Sequence, residues 1–256
     1  MEWYIIVGII AVGFLAGFIN TLAGGGSFIA LSFLIFIGLP ANVANGTNRI
    51  ALFFQNIVAT RSFKRQKALN LKQGLWFSIP IIIGSIVGAQ FAVTINESVL
   101  QKIIGVLLIV MFFLILYKPD KWVKGQAGLV QAKPGLIQII ISFFIGIYGG
   151  FIQAGVGFFL LAGLVLSAGF DLVKANALKV FIILLYTPFA ISIFIFNDQI
   201  NYKIGLILAI GNMAGAAVAS RFATQKGAKF VRYIVLVVLL FAAVKLLGIF
   251  ELITNY

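Results

Sequence analysis

NTLAGGGS, residues 20–27, interrupts an apolar run, with GIIAVGFLAGF (8–18) before it and FIALSFLIFIG (28–38) after it. Three consecutive glycines break a helix, because glycine loses more backbone entropy on ordering than any other residue. A broken helix frees amide and carbonyl groups that hydrocarbon cannot satisfy. Whether the flanking sequence lies in lipid therefore decides how these eight residues are read.

Composition places it there. The 256 residues are 62% hydrophobic and 10% charged, with a mean hydropathy of +1.14. A soluble domain is about 45–50% apolar and about 25% charged. Apolar runs bounded by charged or Gly/Pro/Asn clusters recur along the whole chain, which reads as one all-α, polytopic membrane domain. The net charge of +13 falls mostly in short connections, where topology and anionic lipid account for it and nucleic acid is not implied. Cysteine and histidine are absent, and the six acidic residues are Glu2, Glu97, Asp120, Asp171, Asp198 and Glu251. Disulfides, thiolate or imidazole metal sites and histidine catalysis are thereby excluded, and no cofactor, metal or catalytic group is expected. The first apolar segment starts at Trp3 behind an acidic leader, so it reads as a retained helix rather than a cleaved signal.

Shifting the sequence by 131 residues lays 23–92 on 154–223 without a gap, and 18 of the 70 pairs are identical. Matched pairs include Gly24/Gly155, Gly26/Gly157, Gly38/Gly169, Asn45/Asn176, Asn70/Asn201, Gly74/Gly205 and Gly84/Gly215. This predicts a duplication, with residues 1–117 as the first repeat, 118–134 as a basic connection and 135–256 as the second repeat. Arg61, Lys64, Arg65, Lys67 and Lys72 crowd 61–72, whereas 192–203 holds only Asp198 and Lys203. Loops 61–72, 118–134 and 224–232 are therefore expected in the cytoplasm, and 94–98 and 197–203 outside. Equivalent loops on opposite sides mean inverted topology.

Five segments are expected per repeat: 3–20, 27–38, 45–61, 73–94 and 98–117, then 135–152, 158–169, 176–196, 204–223 and 232–252. This gives eight to ten transmembrane helices. The second of each five is about 12 residues or about 18 Å long, short of a core of about 30 Å, and is read as half-spanning.

The second break is QAGVGF, residues 153–158. A turn at membrane depth frees amides that, with the positive helix end, favour an anion. The alternative is that these glycines only let helices approach closely. Asn45 and Asn176 are read as N-caps of the helices that follow. Arg49 and Lys179 lie just behind them without an acidic partner. Unpaired cations in a membrane segment point to function, the alternative being that they snorkel to the nearer interface. Asn20, Thr21, Ser27, Thr47, Asn48, Gln55, Asn56, Gln153, Tyr186 and Asn212 are further polar groups that can line a path, the alternative for many outside the turns being plain interhelical hydrogen bonding.

GFINTLAGGGSFIALSFLIFIGLPANVANGTNRI (17–50) resembles the first-half signature of the TauE/SafE sulfite exporter family, and GIYGGFIQAGVGFFLLAGLVLSAGFDLVKANALKV (146–180) is similar to its second half. The resemblance implies an inner-membrane carrier of sulfite, sulfonates or related anions built as two inverted halves. It puts Gly24, Gly25, Gly26, Asn45, Thr47, Asn48 and Arg49 in the first motif and Gly155, Gly157, Asn176 and Lys179 in the second. Phe158 stands where many relatives have a small or polar residue, and Ala154 where proline is frequent.

The expected function is export of a small sulfur-containing anion by alternating access around the two breaks. Asn20, Thr21, Ser27 and Gln153 join the motif residues as candidate ligands. The expected surroundings are membrane lipid in the inner membrane, with a homodimer as the oligomer considered. Proton coupling is disfavoured, because no histidine exists and no carboxylate lies well inside a segment. The alternatives are a carrier of another small organic anion, such as a carboxylate, or an anion channel. A membrane enzyme would need a nucleophile with an acid or base to activate it, and none is found.

Overall fold

The computed structural model describes residues 2–92 and 133–246, with side chains to 237, and the isolated positions 109, 113, 126, 128 and 130. The expected segment 98–117, loop 94–98 and most of the 118–134 connection lie outside the described residues.

Among the described residues eight helices follow in order. They are α1 (Trp3–Leu22), α2 (Ser27–Phe36), α3 (Ala41–Arg65), α4 (Leu71–Phe91), α5 (Leu136–Phe151), α6 (Val156–Ala162, continued by a π turn over Gly163–Ser167), α7 (Leu172–Phe196) and α8 (Tyr202–Leu246). No strand occurs among the described residues. Among the described residues four helices are long and apolar enough to cross a membrane: α1, α4, α7 and Tyr202–Val237 of α8. The protein is an integral membrane protein with an all-helical fold.

The boundaries follow from local chemistry. Gly24, at φ +96°, stops α1 in the left-handed region that side chains avoid. Gly38 and Gly169, a matched pair, do the same after α2 and α6 at φ +97° and +79°. α2 has 10 residues, or about 15 Å, which falls short of a hydrocarbon core. α8 is two helical stretches that meet at a non-helical Gly227, φ 75° and ψ −176°, between the segments expected at 204–223 and 232–252, of which 247–252 lie outside the described residues.

α3 and α7 begin four residues before the expected starts, and their N-caps are Pro40 and Asp171. The Asp171 carboxylate accepts from the Val173 and Lys174 amides at 3.0 Å. Asn45 and Asn176 are therefore not N-caps but interior residues. Pro40 has the fixed φ that starts a helix, and Asp171 outcompetes a residue further along for the free amides.

The helices pair across the chain rather than along it. α1 packs on α8, α4 on α5, and α3 on both α7 and α8. Small residues allow the first two contacts. A Cβ on Gly17 would lie 2.2 Å from the Asn212 carbonyl oxygen, and one on Gly215 2.0 Å from that of Phe14. Across α4 and α5, a Cβ on Gly150 would lie 2.0 Å from the Ser85 oxygen, and one on Gly84 2.2 Å from that of Phe143. Lipid supplies no hydrophobic drive between apolar helices, so close backbone packing is what holds them together. The exposed Trp3, Ile83, Phe144, Ile210 and Tyr233 form part of the outer apolar face.

Candidate substrate site at the paired helix breaks

The two glycine breaks meet. A Cβ on Gly24 would sit 2.3 Å from Gly157 Cα, and one on Gly157 would sit 2.3 Å from Gly24 Cα. The close-approach role considered for the glycines is thus realised at their centre. A Cβ on Gly155, itself at φ +81°, would meet the Phe28 ring at 3.1 Å.

Three amides that follow the glycines of the first break, those of Ser27, Phe28 and Ile29, are already engaged. Asn20 Oδ1 accepts from the Ser27 amide at 3.0 Å, the Gly25 oxygen from Phe28 at 3.2 Å and the Gly26 oxygen from Ile29 at 3.0 Å. In the second break, the Gln153 oxygen accepts from Val156 and the Gly155 oxygen from Phe158, at 3.2 and 3.0 Å. The expectation of open helix-start amides is corrected for these groups: side chains and tight turns satisfy them locally.

Arg49 and Lys179 are completely buried, so neither snorkels. Arg49 donates from Nη1 to the Gly149 oxygen at 3.1 Å and to Gln153 Oε1 at 3.3 Å. Its Nη2 donates to the Gly150 and Phe151 oxygens at 2.7 and 3.3 Å. Lys179 Nζ donates to the Asn20 and Thr21 oxygens at 2.9 and 3.1 Å and to Asn176 Oδ1 at 2.6 Å. Each cation therefore closes the C-terminal end of a helix before a break, α5 for Arg49 and α1 for Lys179. The negative helix end and its unpaired carbonyls favour a cation there. Because α3 and α7 start at Ala41 and Leu172, Arg49 and Lys179 lie two turns inside these helices rather than just behind their caps. The acidic partner missing from the sequence is replaced by main-chain oxygens. Asp171 pairs with Lys174 at 3.3 Å.

Neighbouring side chains complete the cluster. Asn45 Nδ2 donates to the Phe151 oxygen at 3.0 Å, and the Tyr186 hydroxyl donates to Gln153 Oε1 at 2.8 Å. The Phe194 ring lies 4.7 Å from the Arg49 guanidinium carbon, a cation–π contact. Tyr148 gives its hydroxyl proton to the Ala154 oxygen. Thr47 stands apart, accepting from the Asn201 amide at 2.9 Å where α8 begins. Several buried polar atoms lack a partner: Thr21 Oγ1, Asn45 Oδ1, both amide atoms of Asn48, Arg49 Nε and Asn176 Nδ2. The main-chain acceptors at 149–151 and the Tyr186–Gln153 bond were not identified from sequence. The one hint was that two cations sat at nearly matched positions without acids.

Where α3 ends and α7 begins, a cavity of about 770 Å³ opens. Lys64, Lys67, Lys72 and Lys174 line it, with Asn70 and Asp171. Charge of one sign in a concave site raises the local concentration of anions.

The sequence profile of the family described as "Sulfite exporter TauE/SafE" matches residues 9–246. A probable membrane transporter protein, ORF9, from Sinorhizobium sp is 31% identical over 97% of this chain and 94% of its own length. A probable membrane transporter protein from Haemophilus influenzae is 28% identical over 88% of each. YfcA of Escherichia coli K12, also named a probable membrane transporter protein, is 28% identical over 92% of this chain and 87% of its own. No solved structure matches. The chain belongs to the sulfite exporter TauE/SafE family of membrane transporters.

Proposed function

We propose that the protein exports a small sulfur-containing anion, such as sulfite or an organosulfonate, by alternating access between two inverted repeats with half-spanning α2 and α6. The observation that carries this reading is the crossed pair of cations. Arg49 of the first repeat holds the end of α5 in the second, and Lys179 of the second holds the end of α1 in the first. The antiparallel run of α3 and α7 supports inversion: Thr47 near the start of α3 meets Asn201 just after α7, and Lys64 near its end shares a cavity with Asp171.

The mechanism follows from competition for donors. An oxyanion arriving at the breaks offers Arg49 and Lys179 a better acceptor than a carbonyl, because its full negative charge adds Coulomb attraction to bonds whose donors are already charged. Bonds to the opposite repeat weaken as the cations turn to the anion. Arg49 Nε, Asn48 Nδ2 and Asn176 Nδ2 add buried donors that have no other partner. The repeats then rock about Gly24 and Gly157, whose contact supports a carrier with a closed centre over an open channel. The lysine cavity gathers cargo on the side it faces. An inside-negative potential favours anion export by about 2.3 kcal/mol per charge per 100 mV.

Purified protein in liposomes tests this with sulfite, isethionate and acetate under an imposed potential. Saturable, potential-driven flux of the sulfur anions is expected, abolished in Arg49→Ala and partly kept in Arg49→Lys. Acetate carried in preference to every sulfur anion would replace the substrate class. Flux indifferent to potential and to Arg49→Ala would overturn the carrier reading.

A further inference from the structure

α3 carries more polar groups than its clamp requires. At 3.6 residues per turn, Asn45, Asn48, Arg49, Leu52, Asn56, Thr60 and Phe63 fall within an arc of about 120°. Asn45 and Thr60 are 15 residues apart, about 22 Å along the axis. Asn48 is fully buried and both of its amide atoms lack partners. Asn56 Nδ2 bonds back to the Leu52 oxygen at 2.7 Å, yet its Oδ1 has no partner, and neither does the Thr60 hydroxyl. Asn56 and Thr60 are 1% and 9% exposed. On α8, Asn212 donates to Gln55 at 3.2 Å while its own buried Oδ1 is left without a partner.

A buried polar atom without a hydrogen bond costs about 1–3 kcal/mol. Three such sites along one helix, with a fourth on α8, are not accidental packing, since close-packed lipid-embedded proteins satisfy such groups internally. Packing does not need them either. The same arc of α7 holds Asn176, Lys179, Val180, Ile183, Thr187 and Ile191. Its one hydroxyl beyond the clamp, Thr187, is satisfied by the Ile183 oxygen at 2.5 Å. Further polar groups flank the arc toward the C-terminus of α3: Ser62, beside it, is bonded to Ser220 at 2.7 Å, and Gln66, just past the helix end, to Thr224. That end borders the lysine cavity through Lys64 and Lys67.

We infer that the Asn48–Asn56–Thr60 face of α3, with Asn212 opposite, is the hydrated route along which the anion travels between the lysine cavity and the breaks. The unpartnered amides and hydroxyl bond water and cargo when the route opens. They are neutral, so they solvate an anion without trapping it as a further cation would. The route is one-sided: α3 lines it, and the corresponding face of α7 stays dry. This rests on the transporter reading but not on which anion is carried.

The natural chain contains no cysteine, so single cysteines test the route in the full-length protein. Asn56→Cys and Thr60→Cys are placed in sealed vesicles of known orientation. Each is treated with the membrane-impermeant, anionic reagent sulfonatoethyl methanethiosulfonate from either side. Ala51→Cys, completely buried but off the arc, and Thr187→Cys, the α7 counterpart of Asn56, are the controls. Reaction at both α3 positions roughly tenfold or more faster than at the controls, from the side of the lysine loops, is expected if the thiols meet water. Rates no faster than at Ala51→Cys, or faster only from the opposite side, overturn the proposal. Two route positions guard against one variant misfolding, and a monodisperse elution profile qualifies each. Labelling needs no cargo, so it fails or succeeds independently of the sulfite and sulfonate flux assay.

Discussion

α3 and α7 are both 25 residues long, and both their starts (41 and 172) and their ends (65 and 196) differ by 131. Yet only α7 is apolar enough throughout to qualify as a spanning helix. Near their starts the two behave alike, each sending one buried cation to the carbonyl end of a helix before a glycine break. Beyond that first third they part: α3 continues with Asn56 and Thr60, and α7 with Ile183, Thr187 and Ile191. The difference teaches that the clamp belongs to both helices and the polar face to one. Two identical polar faces would leave twice the unpaired atoms in lipid.

The largest effect is expected at the contact between the breaks. Gly24→Ala meets the Gly157 backbone at 2.3 Å and must also hold φ +96°. The left-handed strain alone is about 1–2 kcal/mol, and backbone cannot retreat as a side chain can. Gly155→Ala carries similar strain but meets only the Phe28 ring. Folded yield and thermal unfolding in detergent should collapse for Gly24→Ala and fall moderately for Gly155→Ala. Equal losses would erase the distinction between the breaks.

Next come the clamps. Arg49→Ala strips three main-chain carbonyls and Gln153 of a donor, and Lys179→Ala strips two carbonyls and Asn176. Orphaned buried acceptors cost about 1–3 kcal/mol each, partly offset by removing a buried charge. A net loss of about 2–4 kcal/mol is expected for Arg49→Ala and a smaller one for Lys179→Ala, read from denaturation midpoints. The reverse order would mean that Lys179, not Arg49, holds the dominant clamp.

The smallest changes in stability separate the two helices most sharply. Thr187→Val removes a satisfied hydroxyl and should cost about 1 kcal/mol, with flux retained. Thr60→Val removes an unpartnered one and should leave stability level or slightly raised while flux falls. If both variants lower stability and spare flux, α3 is no different from α7.

The membrane class, the helix order and the two breaks were legible in the sequence because each rests on local physics. Apolar runs and left-handed glycines at 24, 38, 155 and 169 act within a few turns of chain. The helix starts were misread at Asn45 and Asn176. A capping asparagine and an interior one look alike until Pro40 and Asp171 are seen to take the role first. Of the candidate ligands, Arg49, Lys179, Asn20, Asn45, Asn176 and Gln153 join the two clamps, while Thr47 binds the start of α8.

What the sequence determined by itself is that two cations without acids lie beside two glycine breaks in an apolar chain. Their pairing was decided only by tertiary structure. The acceptors of Arg49 are the carbonyls of Gly149, Gly150 and Phe151, 100 or more residues away. Every residue has a carbonyl, so no residue type marks the few left open at a helix end. Which helix end a cation reaches depends on how α1 packs on α8 and α5 on α4, and that is a property of the assembled fold.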